Sequence, residues 1–369
     1  MTGRVSRLPK SYGRLLAAIL LVCLTALLGA CTAPQTRKLL ANADQHSTQK
    51  VSLQIPFFPQ TAYHCGPAAL AGLMRHNGVD TSPDELASQV YLPGRKGSLQ
   101  VEMTAAIRRN ALLAYPLEAG EKSEMEQLLI ALDAGFPVLV LQNLGVQWLP
   151  QWHYATVTGY NLDTEELVLN SGTKQNYRIS FSTFEHTWKR GDYWALWVVP
   201  PTTVPPFADA KTWNRAAFDL ESTGQTAAAL AAYRSSLRRW NDNEAALLGA
   251  GNTAFALEKT AAAADYFYRL ASHSKDHAAT GWNNLAYALK ALSCPRAAAQ
   301  AAAQAYKLAP DQTAVLNTFN EMTSEDNYSH PETGPEKLEW CKKWREVIPD
   351  VIRESARGFR SGAAGYGRG

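Results

Sequence analysis

The sequence predicts a protein of two domains, an α+β domain over residues 51–199 followed by an all-α domain over residues 208–310. Three observations support this division. Helix signals precede strand signals in the first region, a proline-rich segment separates the two regions, and the second region is rich in alanine with a spacing of 34 or 35 residues. A chain of 369 residues is long enough to bury two such cores.

Residues 1–30 are typical of an export signal rather than of a folded domain. Basic residues come first, and the apolar run LLAAILLVCLTALLGA that follows is too short for a comfortable membrane span. Its end, LLGAC, resembles the lipobox of bacterial lipoproteins, which are cut before a cysteine that carries lipid, here Cys31. Because Thr32 follows instead of Asp, this resemblance implies an outer-membrane lipoprotein facing the periplasm. The alternatives are an ordinary secretory signal cut after Ala30 or an uncleaved anchor.

The net charge of the exported chain is close to zero. Four of the 36 basic residues lie before residue 31, so 32 remain against 33 acidic residues. A balance of about −1 offers no electrostatic basis for nucleic-acid binding.

The chain has five cysteines, and their number constrains the disulfides. Cys23 leaves with the signal and Cys31 is modified by lipid, so three remain in an oxidising compartment. At least one of Cys65, Cys294 and Cys341 is then unpaired. Either Cys294 pairs with Cys341, or all three are reduced.

Segments outside the two domains have the composition of connections. Residues 31–50 are polar with little periodicity and are expected to be a tether. The segment VVPPTTVPPF carries four prolines, which disfavour helix and break strand ladders, and it predicts a linker over 200–207. Over 311–369 we expect a capping helix and then a disordered tail.

Helix signals come first in the α+β domain. Pro67 suits a first helical turn, and Gly78 can end that helix about three turns later. Ser82 and Glu85 form a capping-box pattern that starts a second helix, and residues 123–135 predict another. Four apolar segments rich in β-branched and aromatic residues then predict strands: FPVLVLQN, HYATVTGYN, ELVLNSG and YWALWVV.

The alanine-rich region shows a self-similar spacing. Apolar or small residues fall at Trp282, Leu285, Ala286, Leu289, Ala298, Ala302 and Ala305, and Pro310 ends the unit. Steps of 34 and 35 residues toward the N-terminus find two similar sets. The pattern resembles the tetratricopeptide repeat and predicts three repeats, or six helices, over 208–310. A generic alanine-rich bundle is the alternative.

Four residues of the first domain have the chemistry of a cysteine nucleophile and its helpers. Cys65 lies at a predicted helix start, where free N–H groups favour a thiolate. Gln60, on the preceding loop, can supply an oxyanion donor. His153 opens one strand of a predicted hairpin and Asn170 ends the next, so both are expected near the same end, where Asn170 can orient the imidazole.

These residues and the segments CGPAAL, HYATVTGYN and VLNSG resemble the C39 family of papain-like cysteine peptidases over residues 51–199. The resemblance implies Cys65 as nucleophile, His153 as general base and acid, Asn170 as orienter, and Gln60 with the Cys65 backbone N–H as oxyanion hole. Members of this family commonly have Asp at the position of Asn170. C39 domains are best known from export transporters, where they cut leader peptides after paired glycines; that substrate cannot be transferred to this chain.

The combined expectation is a lipid-anchored periplasmic cysteine peptidase that hydrolyses polypeptides and binds a protein partner through its repeats. An amidase or transglutaminase-like transferase would use the same triad, and a degenerate peptidase fold would act as a non-catalytic scaffold. Trp148 and Trp152, just before His153, either wall a cleft or pack in a core. We expect no cofactor and no metal, since His, Cys and Asp do not cluster at ligand spacing.

Overall fold

The structure, a computed structural model, describes residues 33–43, 48–60, 64–118, 120–324 and 335–348. The predicted export signal, Cys31 and most of the predicted disordered tail lie outside the described residues. Within these ranges, none of the helices combines the length and the apolar character that a membrane span requires.

The described chain contains fourteen α-helices and nine strands. The helices are α1 (Pro34–Ala41), α2 (Cys65–His76), α3 (Pro83–Val90), α4 (Gln100–Arg109), α5 (Glu124–Asp133), α6 (Phe181–Lys189), α7 (Ala210–Ser222), α8 (Thr226–Arg239), α9 (Glu244–Ala256), α10 (Thr260–His273), α11 (Ala278–Ala291), α12 (Pro295–Leu308), α13 (Thr313–Thr323) and α14 (Pro335–Val347). The strands are β1 (Lys50–Ser52), β2 (Tyr91–Leu92), β3 (Gly97–Ser98), β4 (Leu113–Pro116), β5 (Val138–Asn143), β6 (Trp152–Asn161), β7 (Glu166–Ser171), β8 (Lys174–Ser180) and β9 (Ala195–Val199).

The chain forms two compact units, an α+β unit and a helical one, which confirms the predicted fold classes. The first unit holds the described residues up to Ser98 together with Leu117–Leu196. The second holds Leu99–Pro116 and the described residues from Trp197 onward. Residues 99–116 thus group with the helical unit, whereas the sequence predicts them in the first domain.

An antiparallel sheet forms the centre of the first unit. In it, β5 lies between β9 and β6, β7 follows on the other side of β6, and β8 pairs with β7. β1 pairs with the last three residues of β6. All six residues of β5 are buried, and α2 packs against β6. The helix that begins with Cys65 is therefore held against the strand that carries His153.

Local sequence signals locate most of these elements correctly. The Ser82 side chain accepts from the Glu85 N–H while the Glu85 carboxylate accepts from the Ser82 N–H, so the predicted capping box is formed. Gly78 and Gly135 take the positive φ that ends α2 and α5. The predicted hairpin also forms, with β6 and β7 joined by residues 162–165.

The predicted tether differs from the structure over residues 34–41, which form α1. Leu39 is buried, and the buried carboxylate of Glu185 accepts hydrogen bonds from the backbone N–H groups of Gln35 and Thr36 at 3.1 and 2.7 Å. A carboxylate at a helix N-terminus satisfies donors that otherwise have no partner. The helix is thus stabilised by a residue about 150 positions away, which local sequence cannot reveal.

From α7 to α13, consecutive helices of the second unit pack against each other. Alternate helices begin at Ala210, Glu244 and Ala278, each 34 residues after the last, close to the predicted steps of 34 and 35 residues. At the crossing of α9 and α10, a Cβ at Gly251 would lie 2.3 Å from the ring of Phe267. Small residues therefore do occupy the close helix crossings.

Residues 99–116 belong to the helical unit because of one tyrosine. The Tyr115 ring lies 6.0 Å from Trp197 and 6.4 Å from Trp213, and its hydroxyl donates to the carboxylate of Asp209 at 3.1 Å. Arg108, on α4, also forms an ion pair with Asp219 of α7. Residues 99–116 therefore group with the second unit, although in the sequence they lie between two segments of the first unit.

Cys294 and Cys341 form a disulfide, and Cys65 is free. This outcome decides between the two alternatives that the cysteine count leaves open. The bond joins the residue that precedes α12 to α14, the helix predicted as a cap. A cross-link that closes a 47-residue separation restricts the unfolded chain and so stabilises the docked α14.

We predict that Gly251→Val lowers the thermal stability of the helical unit. The added side chain meets the Phe267 ring, and overpacking of this kind costs about 1–3 kcal/mol. Calorimetry of the full chain should show a midpoint lowered by about 2–8 °C. Gly94→Val is the matched control, because nothing lies within 4 Å of a Cβ at Gly94. Equal midpoints for the two variants would contradict the close crossing.

Candidate active site

Cys65 is the first residue of α2, and its thiol lies beside the start of β6. The backbone N–H groups of Tyr154 and Gly66 hydrogen-bond to the sulfur. These two donors come from different elements, one from the strand and one from the helix. Because Tyr154 directly follows His153, the thiol lies next to the part of β6 that presents the imidazole.

Burial acts against charge on both reactive groups. It raises the pKa of the Cys65 thiol above its ordinary value of 9.0, although the N–H groups of Tyr154, Gly66 and Cys65 act in the opposite direction. It also lowers the pKa of the His153 imidazole below its ordinary value of 6.5. At neutral pH the free site therefore holds a neutral thiol and a neutral imidazole. The helix start favours the thiolate, as the sequence predicts, but desolvation is the larger effect.

His153 is the second residue of β6, opposite Gln142 of β5. Its Nε2 atom forms a hydrogen bond with the hydroxyl of Ser171 at 2.9 Å. That bond fixes one ring nitrogen and leaves Nδ1 for another partner. Ser171 is a residue that the sequence analysis does not select, and the only signal for it is its place directly after Asn170 in VLNSG.

Asn170 makes a different contact from the one predicted. It pairs with Thr156, three residues further along β6 than His153. Its Oδ1 atom accepts from the backbone N–H of Asn176 at 3.1 Å, across the turn between β7 and β8. Among the described residues, the hydrogen bond of the His153 ring goes to Ser171 and not to Asn170. The role of Asn170 as orienter therefore stays a prediction.

Gln60 reaches the same region from the loop before α2. Its backbone N–H donates to the carbonyl of Gly172 at 3.4 Å, so the loop is joined to the end of β7. Its side-chain Oε1 is buried and has no hydrogen-bond partner among the described residues. A buried carbonyl oxygen that lacks a partner is costly unless a donor binds there. This atom is an acceptor, whereas an oxyanion hole needs the Nε2 donor, so the role of Gln60 as oxyanion donor stays a prediction.

One narrow crevice joins several of these residues. Its volume is about 10 Å³, and its lining includes Gln60, Tyr154, Asn170 and Ser171. Neither Cys65 nor His153 lines it. A space of this size holds about one water molecule, so the crevice accommodates a small group such as an oxygen atom and not a side chain.

His64 precedes α2, and its ring packs edge-on against Tyr91 with the ring centroids 5.1 Å apart. In the described part of the chain, no group of His, Cys, Asp and Glu side chains could hold a metal ion. The candidate site itself consists of a thiol, an imidazole with a hydroxyl partner, and an amide.

Comparison with known proteins finds a family profile that matches part of this chain. Residues 52–195 match the sequence profile of the Peptidase_C39 like family. No curated protein matches the chain significantly.

Solved structures also resemble parts of the chain. A protein from Bacillus anthracis described as a C39-like peptidase shares 17% identity at a TM-score of 0.34, with 41% of this chain and 98% of that one covered. The peptidase domain of Streptococcus ComA, a bifunctional ABC transporter, shares 20% identity at 0.31, with 42% and 99% covered. The first TPR of Spaghetti (RPAP3), bound to an HSP90 peptide, shares 15% identity at 0.29, with 31% and 90% covered. At these TM-scores we draw nothing further from the likenesses.

The profile match spans the site described above, from the end of β1 to the start of β9. Residues 52–195 of this chain are therefore similar to the Peptidase_C39 like family.

Proposed function

We propose that this protein is a lipid-anchored cysteine peptidase of the bacterial envelope, attached to the outer membrane and facing the periplasm. The observation that carries the catalytic part is the position of the Cys65 thiol at the start of α2, bonded to the N–H that follows His153. The anchor is supported by the LLGAC sequence at Cys31, and the docking of a protein partner by the tetratricopeptide-type helices.

In the proposed reaction, His153 acts as a general base at the moment of attack. The free thiol is neutral, so its proton passes to the imidazole as the sulfur adds to the substrate carbonyl. Ser171 holds Nε2 of the ring, so Nδ1 is the nitrogen that would take the thiol proton. The protonated imidazole then gives its proton to the leaving amine, and water hydrolyses the thioester. The Gln60 side-chain amide and the Cys65 backbone N–H donate hydrogen bonds to the negatively charged carbonyl oxygen.

A non-catalytic binding module is the second candidate. Two observations favour it: burial raises the pKa of Cys65, and His153 bonds to Ser171 instead of Asn170.

An acyl transferase would share the thioester step and differ only in the acceptor. Products of a peptide substrate incubated with a primary amine separate hydrolysis from transfer by mass spectrometry.

We predict that Cys65→Ala and His153→Ala each abolish hydrolysis, because one loses the nucleophile and the other the base. Losses of about 10⁴-fold or more are expected for such groups. The measurement is kcat/KM on a peptide library in the full chain, with circular dichroism to establish folding. Full activity of either folded variant would show that the assignment of that residue is wrong.

We predict that Ser171→Ala lowers kcat more than Asn170→Ala does. A neutral hydrogen bond contributes about 1 kcal/mol, which corresponds to about fivefold in kcat. Ser171 bonds to the ring, whereas Asn170 bonds to the backbone of Asn176. The Ser171 variant should also shift the acid limb of the pH–rate profile, which a purely structural effect would not move. The opposite order of effects would restore Asn170 as the orienter.

We predict that kcat/KM keeps its full value to below pH 6.5 and that Cys65 alkylation rises through a midpoint above pH 9. The lowered pKa of His153 keeps the base neutral to lower pH, and the raised pKa of Cys65 keeps the thiol protonated to higher pH. Iodoacetamide labelling followed by peptide mass spectrometry resolves Cys65 from the other cysteines. The same residue in the urea-unfolded chain is the reference. A rapid labelling plateau near pH 6 would show a preformed thiolate and contradict this mechanism.

We predict that Cys31→Ala moves the protein from the membrane to the soluble fraction of a bacterial host. The substitution removes the residue that would carry the acyl chains, and two such chains suffice for stable attachment. Intact-mass analysis of the unaltered protein should show the added lipid at residue 31. Cys23→Ala is the matched control, since Cys23 lies within the apolar run of the signal. An unmodified N-terminus would leave an ordinary secretory signal.

A further inference from the structure

The loop between β5 and β6 presents a group of apolar side chains to solvent. The exposed fractions are 45% for Leu144, 46% for Val146, 83% for Trp148, 66% for Leu149 and 53% for Trp152. No residue from 144 to 152 carries a charge. Exposed apolar groups that lie together mark surfaces that bind a partner or a membrane. We call residues 144–152 the apolar loop.

The apolar loop has a defined backbone, so the exposure does not come from a lack of structure. The buried Oδ1 atom of Asn143 accepts from the N–H groups of Gly145 and Gln151 at 3.0 and 2.8 Å. The guanidinium of Arg190 donates twice to the Asn143 carbonyl, at 3.1 and 2.9 Å. A Cβ at Gly145 would lie 2.3 Å from the Leu149 carbonyl oxygen, so the turn is closed tightly.

A second observation concerns the place where the chain enters this unit. The N-terminus of α1 is fixed by Glu185, which is only 1% exposed. The Gln35 side chain also donates to Glu124 at 2.6 Å and accepts from the Met125 N–H at 3.0 Å. Cys31 precedes Ala33 by two residues, which span at most about 7 Å. Any lipid on Cys31 is therefore held near the start of α1.

Both features are attached to the same helix. Glu185 lies within α6, and Arg190 directly follows its last residue. Five residues of helix correspond to about 7.5 Å along its axis. The residue that holds the start of α1 and the residue that holds the base of the apolar loop are thus close neighbours. A bilayer that receives lipid from Cys31 lies within reach of the loop.

The exposed residues fit a bilayer better than a peptide. The loop and Arg190 enclose an open concavity of about 540 Å³, but Trp148, the most exposed of the apolar residues, does not line it. A peptide bound in this concavity would leave Trp148 exposed to solvent. A bilayer, in contrast, can bury a side chain that extends from the protein surface. Tryptophan is enriched at membrane interfaces, where its ring and its N–H meet different environments.

We propose that the apolar loop inserts into the membrane interface beside the lipid on Cys31, with Trp148 and Leu149 deepest. The proposal rests on the lipid anchor of the proposed function. Because Trp152 is followed directly by His153, insertion of the loop holds the candidate active site close to the membrane surface. The substrate class is then polypeptides at or near that surface.

The test is quenching of tryptophan emission by brominated lipids. The full chain is reconstituted into vesicles of phosphatidylethanolamine and phosphatidylglycerol that contain lipids brominated in the upper acyl chain. The emission of one tryptophan is the difference between the unaltered chain and its Trp→Phe variant. We expect strong quenching of the Trp148 contribution, out of ten tryptophans in the chain. Trp240→Phe is the matched control, because Trp240 lies at the end of α8 in the helical unit, and its contribution should not be quenched.

Two further readouts assign each outcome. Flotation of the vesicles reports the anchor: a chain that stays behind overturns the proposed anchor and this inference with it. A chain that floats with Trp148 unquenched overturns the insertion of the loop alone. Trp148→Gln with Leu149→Gln should leave kcat/KM on a soluble peptide within about twofold, as expected for exposed residues. A loss of about tenfold without any quenching would make the loop a peptide-binding surface instead.

Discussion

The packing of the first turn of α2 against the start of β6 is the constraint on which the site depends. The helix brings the Cys65 thiol to the backbone N–H of Tyr154, and Tyr154 directly follows His153 on the strand. The loop that carries Gln60 is joined to the end of β7 through Gly172. A change that separated α2 from β6 would therefore move Cys65 away from the strand that carries His153.

The same packing decides the protonation of the site. Close contact between a helix and a sheet excludes water, and the loss of water disfavours charge on both Cys65 and His153. A helix start alone would favour a thiolate, but three N–H donors do not outweigh desolvation here. This balance is consistent with a base that acts only when substrate is present.

Helix α6 and the residue that follows it bind both the start of α1 and the end of β5. Glu185 and Arg190 bind backbone groups of two segments that are far apart in sequence, the start of α1 and the end of β5. Residues 34–41, which look like part of a polar tether, are consequently held on the body of the unit. Under the proposed anchor at Cys31, this short connection would restrict how far the domain can move from a bilayer.

The sequence by itself determined several helices and strands, the repeat spacing and the residues worth testing, because these features are encoded locally. Caps at Ser82 and Gly135 and the periodicity of α7–α12 need only neighbouring residues. The elements that were not found include α1, α4, β1–β4 and β8. Of these, β1 and α1 are short and stabilised by distant partners. The tertiary structure alone decided the pairing of Cys294 with Cys341, the bond from His153 to Ser171 and the raised pKa of Cys65. The physical reason is that strand register and burial depend on what lies across the sheet or against the helix, and neither is written in the adjacent residues.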